Sequence, residues 1–253
     1  GGAALARVPT LMFDVQAGPW LNLIAPIGFY LLCVRLAGRG AAFLALVIFL
    51  FVNGRTAPAL TTPTYSPWLF VATFAQGLFY LTMLAMTSAA GSPTDRRAIV
   101  VGSLAGLTFL AHTGPAVVLG AIALFVLPLR SILVAGVAAA AVASPFLWSI
   151  VGHYHLAVLN PVPAGWKWLP ISWDGFPQTL RANALLLAMG FAGLFVVRWK
   201  IVRVWLAVAV ALSVYGLVRD VVPALPPIVP TFHFWRYAVA ALTMLAGAVL
   251  WAA

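Results

Sequence analysis

The sequence predicts an all-α bundle of transmembrane helices, with about nine membrane segments in one domain over residues 1–253. Two observations predict this fold class. Of the 253 residues, 64% are hydrophobic and only 7% are charged, whereas an ordinary soluble domain is about 25% charged. Apolar runs that approach the roughly 20 residues of a spanning helix recur along the chain. We therefore expect an integral, multi-pass membrane protein whose surroundings include membrane lipids.

The segments follow from apolar runs that end at charged residues, at glycine or at proline. The first two runs are separated by the stretch RLAGR, and the second of them is short. The later runs end at short basic or proline-rich connections. The predicted segments are 19–36, 40–53, 67–89, two within 98–129, 131–151, 184–197, 204–218 and 237–251.

The run 98–129 is too long for one span, and we expect it to break at Gly114 and Pro115. Proline removes a backbone donor and clashes with the preceding turn of a helix. The stretch LAHTGPAV is therefore predicted to form a tight turn between two short helices. His112 then lies at a membrane surface, where it either caps a helix end or binds a ligand.

The basic residues indicate an orientation. The chain has 14 Lys and Arg, four Asp and no Glu, and the short connections 35–39, 91–97, 127–130 and 198–203 are basic. The positive-inside rule places these connections in the cytoplasm. The N-terminus and the remaining loops, including a long external loop over 152–183, are then expected to face outward.

The same charges exclude other function classes. No basic run with interleaved aromatic residues is present, so the net charge of +10 does not indicate a nucleic-acid partner. Basic residues that flank apolar segments can instead meet lipid phosphates. The lone Cys33 and the four scattered histidines predict neither a disulfide nor a metal site.

The external loop carries His153, His155, Asp174 and Arg181 among several tryptophans. Aromatic rings in such a loop either stack on a sugar or form an interfacial belt at the lipid headgroups. We regard the four polar residues as candidate substrate contacts.

His233 and Arg236 precede the last segment and are three residues apart, so they share a face if this stretch is helical. The planar guanidinium suits a phosphate, and histidine can add a hydrogen bond. Alternatively, Arg236 only reaches the membrane surface along its aliphatic stem. With His112, both residues join the candidate substrate contacts.

Asp14 is the acid that precedes the first segment. It is the candidate catalytic residue, a general base that would need a neighbouring acceptor hydroxyl and a suitable pKa. The alternative is a solvated loop carboxylate.

Four stretches of the chain resemble the GT-C-type polytopic glycosyltransferases. YLLCVRLAGRGAAFLALVIFLF resembles a cytoplasmic corner at which a helix ends in a turn and re-enters the membrane. YSPWLFVATFAQGLFYLTMLAM and GLTFLAHTGPAVVLGAIALFVL are similar to the middle helices of that family. FHFWRYAVAALTMLAGAVL is similar to its late helix. The resemblance covers most of the chain through loose motifs.

This resemblance implies a bacterial inner-membrane enzyme that moves a sugar from a polyprenyl-phosphate carrier to an acceptor at the outer face. In the family, an external acid acts as base or contacts a divalent metal ion, and Asp14 is the residue in a comparable place. No other cofactor is implied. A helix that the family has before this loop does not appear in the sequence, which indicates a truncated or degenerate member.

Two alternatives remain at this point. The scarcity of acids and the alanine-rich stretch 134–144 also suit a non-catalytic subunit that packs against other membrane proteins. A transporter is the third hypothesis, but the charges lie at segment ends and no internal repeat is visible, unlike in many carriers.

Overall fold

In a computed structural model, the chain folds into α-helices. The structure describes Arg7, Tyr65 and the ranges 9–52, 71–156, 175–222, 224–226 and 232–253, and within these it contains no β-strand. The helices are α1 Thr10–Asn22, α2 Ile24–Val47, α3 Val71–Gly91, α4 Asp95–Ala111, α5 Thr113–Val126, α6 Leu129–Leu147, α7 Phe176–Ala182, α8 Ala184–Val196, α9 Lys200–Val221 and α10 Phe232–Ala252. π-helical turns over Ile48–Val52 and Trp148–His153 extend α2 and α6.

Five of the described helical segments are long and apolar enough to cross a membrane. Large apolar side chains also cover the exterior: Phe195 is 88% exposed and Trp20 is 74% exposed. Both features suit a lipid surrounding. The helices α5 and α8 are apolar but shorter, so the expected total of about nine membrane segments is not confirmed. The five segments are Leu11–Val52, Val71–Gly91, Leu129–His153, Lys200–Arg219 and Phe234–Ala252.

The first of these segments turns back on itself at Gly38. Gly38 has φ 82° and ψ 171°, a backbone conformation that glycine adopts without steric cost. The rings of Phe29 and Phe49 stack with centroids 4.4 Å apart, although a straight helix would separate these residues by about 30 Å. The turn predicted between residues 36 and 40 is therefore present, and it makes a helical hairpin.

Helix α10 is the central element, and its residues are buried without interruption from Phe234 to Ala248. Small residues allow neighbouring helices to approach it closely. A Cβ built on Gly247 would lie 2.7 Å from the backbone nitrogen of Ala45 in α2, and one on Gly193 would lie 2.7 Å from Cβ of Leu245. Because these glycines leave no room for a side chain, they fix the position of α10.

Helices α4 and α6 pack in parallel through a second set of small residues. Gly102 lies against Ala135, and Gly106 lies one turn further along against Ala139. The two helices consequently begin at the same end of the bundle. There, Arg130 at the start of α6 forms a two-point ion pair with Asp95 at the start of α4, at 3.0 and 2.7 Å.

The predicted break within 98–129 lies slightly earlier than we expect from the sequence. His112 is extended, with φ −164° and ψ 129°, and it separates α4 from α5. Gly114 and Pro115 belong to the first turn of α5. Proline is accepted there because the first N–H groups of a helix have no partner within it.

A substitution pair tests the α4–α6 contact. A Cβ on Gly102 would lie 2.8 Å from Cα of Ala135, whereas one on Gly120 would have no atom within 4 Å. We expect Gly102→Ala to lower the free energy of unfolding by about 1–3 kcal/mol, because the overlap forces backbone apart. Gly120→Ala should raise it by up to about 1 kcal/mol. Thermal unfolding in detergent measures both, and equal effects would contradict this packing.

Candidate functional site

A cluster of polar and aromatic side chains lies in the interior where α3, α9, α10 and the α4–α5 turn meet. Gln76 Nε2 donates a hydrogen bond to the Tyr80 hydroxyl at 2.5 Å. The ring of Phe79 lies 5.3 Å from that of Trp205 and 4.5 Å from that of Tyr237, between centroids. We call this set the Arg236 cluster; it comprises Gln76, Phe79, Tyr80, His112, Trp205, Arg236 and Tyr237.

Arg236 is the charged member of the cluster and is only 3% exposed. It lies in the first turns of α10, where the helix dipole disfavours a cation. Its guanidinium interacts electrostatically with Tyr80 and Tyr237. The side chain thus lies inside the protein and not along its outer surface, so the interpretation of Arg236 as a simple interfacial anchor is wrong. A buried cation in such a bundle is typical of a functional site.

His112 joins the cluster from the turn between α4 and α5. Its Nδ1 accepts a hydrogen bond from the backbone N–H of Gly114 at 3.1 Å, so the side chain caps α5. Burial lowers the pKa of His112 below its usual value of 6.5, and the positive charge of Arg236 lowers it further. The ring is therefore neutral at pH 7. Because Nδ1 accepts, the proton is on Nε2, which acts as a donor.

The structure confirms the capping role that the sequence left open for His112, and it does not test a ligand role. It also brings His112 close enough to Arg236 for their electrostatic interaction. These two residues are 124 positions apart, and the sequence assigned both to one face of the membrane.

Two neutral side chains of the cluster each bury a polar atom that has no hydrogen-bond partner among the described residues. These atoms are Gln76 Oε1, an acceptor, and Trp205 Nε1, a donor. Buried polar atoms usually have a partner, so each of these needs an explanation such as a water or a ligand. Sequence reasoning missed both residues; the signal for Gln76 was a lone amide within an apolar segment.

Asp14 and Arg181 lie apart from these contacts. Asp14 is half-buried in α1, and no hydrogen bond or ion pair joins its carboxylate to any other described residue. Arg181 is exposed in the short helix α7. That helix occupies the end of the predicted external loop 152–183. The assignment of Asp14 as catalytic base stays a prediction.

The remaining candidates are histidines and one acid of the loops. His153 and His155 are exposed, and the His153 ring packs edge-on against Tyr154 at 4.6 Å. Asp174 lies outside the described residues. His233 falls in the first turn of α10. The stretch from His233 to Arg236 is therefore helical, as the prediction that the two residues share a face requires. The side chain of His233 lies outside the described part of the structure.

No group of three or more His, Cys, Asp and Glu side chains suited to a metal ion occurs in the described part of the chain. Comparison with known proteins gave no further assignment: no family model, no curated protein and no solved structure matches this chain.

The capping role of His112 predicts a contrast between two variants. His112→Ala removes the acceptor for the Gly114 N–H, and we expect a loss of about 1 kcal/mol in the free energy of unfolding. His112→Asn keeps a capping acceptor, because asparagine is among the preferred residues at a helix N-cap. Its free energy of unfolding should therefore lie within a few tenths of a kcal/mol of the parent's. Thermal unfolding in detergent distinguishes the two; equal destabilisation would contradict the cap.

The lowered pKa of His112 predicts a dependence of stability on pH. Below about pH 6.5 the unfolded chain binds a proton at this residue before the folded protein does. The free energy of unfolding should therefore fall as the pH drops through 6.5 and level off below the folded pKa. His112→Asn should lack this component. Unfolding of both proteins from pH 8 to pH 5 measures the difference, and parallel curves would refute it.

Proposed function

We propose that this chain is a membrane glycosyltransferase of the bacterial inner membrane. It moves a sugar from a polyprenyl-phosphate carrier to an acceptor at the outer face. The observation that carries the proposal is the buried guanidinium of Arg236 beside the neutral ring of His112. They lie in a bundle whose longest helices are apolar enough to cross a membrane. The combination suits an anionic headgroup that arrives on a lipid.

In this reaction the bond between the anomeric carbon and the carrier phosphate breaks as the acceptor oxygen attacks. Negative charge grows on the departing phosphate. Arg236 supplies the positive charge that stabilises it, and His112 supplies a neutral hydrogen bond through Nε2–H. The acceptor hydroxyl loses its proton to a base, and we propose Asp14 for this role by the family resemblance.

The sugar itself needs hydroxyl recognition. Gln76 Oε1 and Trp205 Nε1 offer one acceptor and one donor in the same cluster, which matches the two hydrogen-bonding roles of a hydroxyl group. The loop residues His153, His155, Asp174 and Arg181, together with His233, are proposed as further contacts to the carrier or the acceptor.

A second function is favoured by two observations. Among the described residues, no hydrogen bond or ion pair joins the Asp14 carboxylate to the cluster. In an 18-residue apolar stretch of Leu129–His153, only 6% of the residues are buried in the protein. A non-catalytic subunit would need no base and would cover α6 with another membrane protein. Such a subunit would co-purify stoichiometrically with its partner and would turn over no lipid-linked sugar.

The binding step can be tested with undecaprenyl phosphate alone, in nanodiscs that contain the purified protein. We expect Arg236→Gln to weaken binding by at least about tenfold, since a charge-assisted hydrogen bond contributes roughly 1.5–3 kcal/mol. Arg198→Gln is the matched control. Arg198 is exposed and follows α8, which runs parallel to α10, so it lies at the opposite end from Arg236.

The transfer step can be tested with undecaprenyl phosphate that carries a radiolabelled hexose or pentose. We expect Arg236→Gln to lower the rate roughly 100-fold, whereas Arg198→Gln should transfer at the parent rate. Unchanged binding and transfer in Arg236→Gln would overturn the site. Binding without turnover of any tested sugar by the parent, together with a stoichiometric protein partner, would favour the accessory subunit.

A further inference from the structure

A separate cavity of about 560 Å³ lies between α4, α5 and α6. Every lining residue is a glycine or has an apolar side chain. Apolar cavities of this kind stay dry and take apolar molecules. The occupant must therefore offer a hydrocarbon surface, which excludes sugars, nucleotides and free phosphate from the cavity itself.

The cavity is elongated and open to the side of the bundle. Its lining on α6 extends from Ile132 to Leu147, a rise of about 22 Å along the helix. Gly120 on α5 and Gly136 on α6 leave open space, because a Cβ on either residue would have no atom within 4 Å. In an 18-residue apolar stretch of Leu129–His153, only 6% of the residues are buried in the protein. A chain from the surrounding lipid can therefore enter from this side.

Arginines gather at one end of the cavity, where α4 and α6 begin. Arg130 neutralises Asp95 at 2.7 Å. Arg97 donates to the carbonyl oxygens of Ser88 and Ser92 at 3.2 and 2.7 Å. Arg96 is exposed, and its side chain makes no hydrogen bond to another described residue. Three arginines against one aspartate leave an excess of positive charge at the mouth of an apolar cavity.

We propose that this cavity and its arginines bind an anionic phospholipid. One acyl chain lies along α6 between Gly120 and Gly136, and the phosphate lies at Arg96 and Arg130. Apolar volume and positive charge at the same end of two parallel helices match the two parts of such a lipid. The arginines proposed to hold the phosphate lie at the end of α4 away from His112, so this inference goes beyond the proposed function and does not depend on it.

The cavity is tested by filling it. Ala140 and its neighbour Ala141 are both exposed, but of the two only Ala140 lines the cavity. The protein is exchanged into micelles with defined phosphatidylglycerol or phosphatidylcholine, and retained lipid is counted by native mass spectrometry. We expect one retained phosphatidylglycerol for the parent and for Ala141→Leu. Ala140→Leu and Gly136→Leu should each lower retention at least about tenfold, by loss of the chain's contacts.

The role of the arginines in binding the lipid phosphate is tested in the same lipid-retention measurement. Arg96→Gln should lower the preference for phosphatidylglycerol over phosphatidylcholine about fivefold, and Arg198→Gln should leave it unchanged. Equal retention by Ala140→Leu and Ala141→Leu would overturn the cavity as the site. Equal retention of the two lipids by the parent would overturn the anionic headgroup. Retention of a polyprenyl phosphate in place of phosphatidylglycerol, lost in Ala140→Leu and kept in Arg236→Gln, would overturn the phospholipid as the occupant of the cavity.

Discussion

The burial of one charge, the guanidinium of Arg236, is the constraint to which the rest of the interior responds. A charge removed from water costs several kcal/mol unless its surroundings compensate. Tyr80 of α3 and Tyr237 of α10 lie close enough to the guanidinium to interact with it electrostatically. The surroundings also hold His112 neutral, because burial and the nearby cation both lower its pKa. The polar chemistry of the core is thereby concentrated at one place in an otherwise apolar bundle.

The position of the Arg236 guanidinium depends on small residues that pack against α10. Helix α10 is enclosed because Gly247 meets α2 and because Gly190 and Gly193 of α8 meet Leu242 and Leu245. Between apolar helices in lipid, close packing and interhelical hydrogen bonds replace the hydrophobic driving force that acts in water. A helix held on several sides cannot rotate to carry Arg236 outward. The close packing in the middle of α10 consequently fixes where Arg236, in its first turns, lies.

Apolar runs and their breakers predicted much of the fold. The segment predicted over 184–197 matches α8 at Ala184–Val196, and the break between 36 and 40 is the turn at Gly38. Composition could not reveal which helices touch, since that depends on contacts between residues far apart in the chain. Gln76 and Trp205 were missed for this reason. The predicted break at Pro115 was displaced to His112 because proline fits the first turn of a helix.

The most direct test of the account is photocrosslinking with undecaprenyl phosphate that carries a diazirine next to its phosphate. Adducts would be mapped by mass spectrometry of the protein in nanodiscs. The account predicts adducts at the α4–α5 turn around His112 and in the first turns of α10 around Arg236. Adducts confined to the end of the bundle at Arg96 and Arg130, or none above the level seen with neutral dolichol-type alcohol, would contradict it.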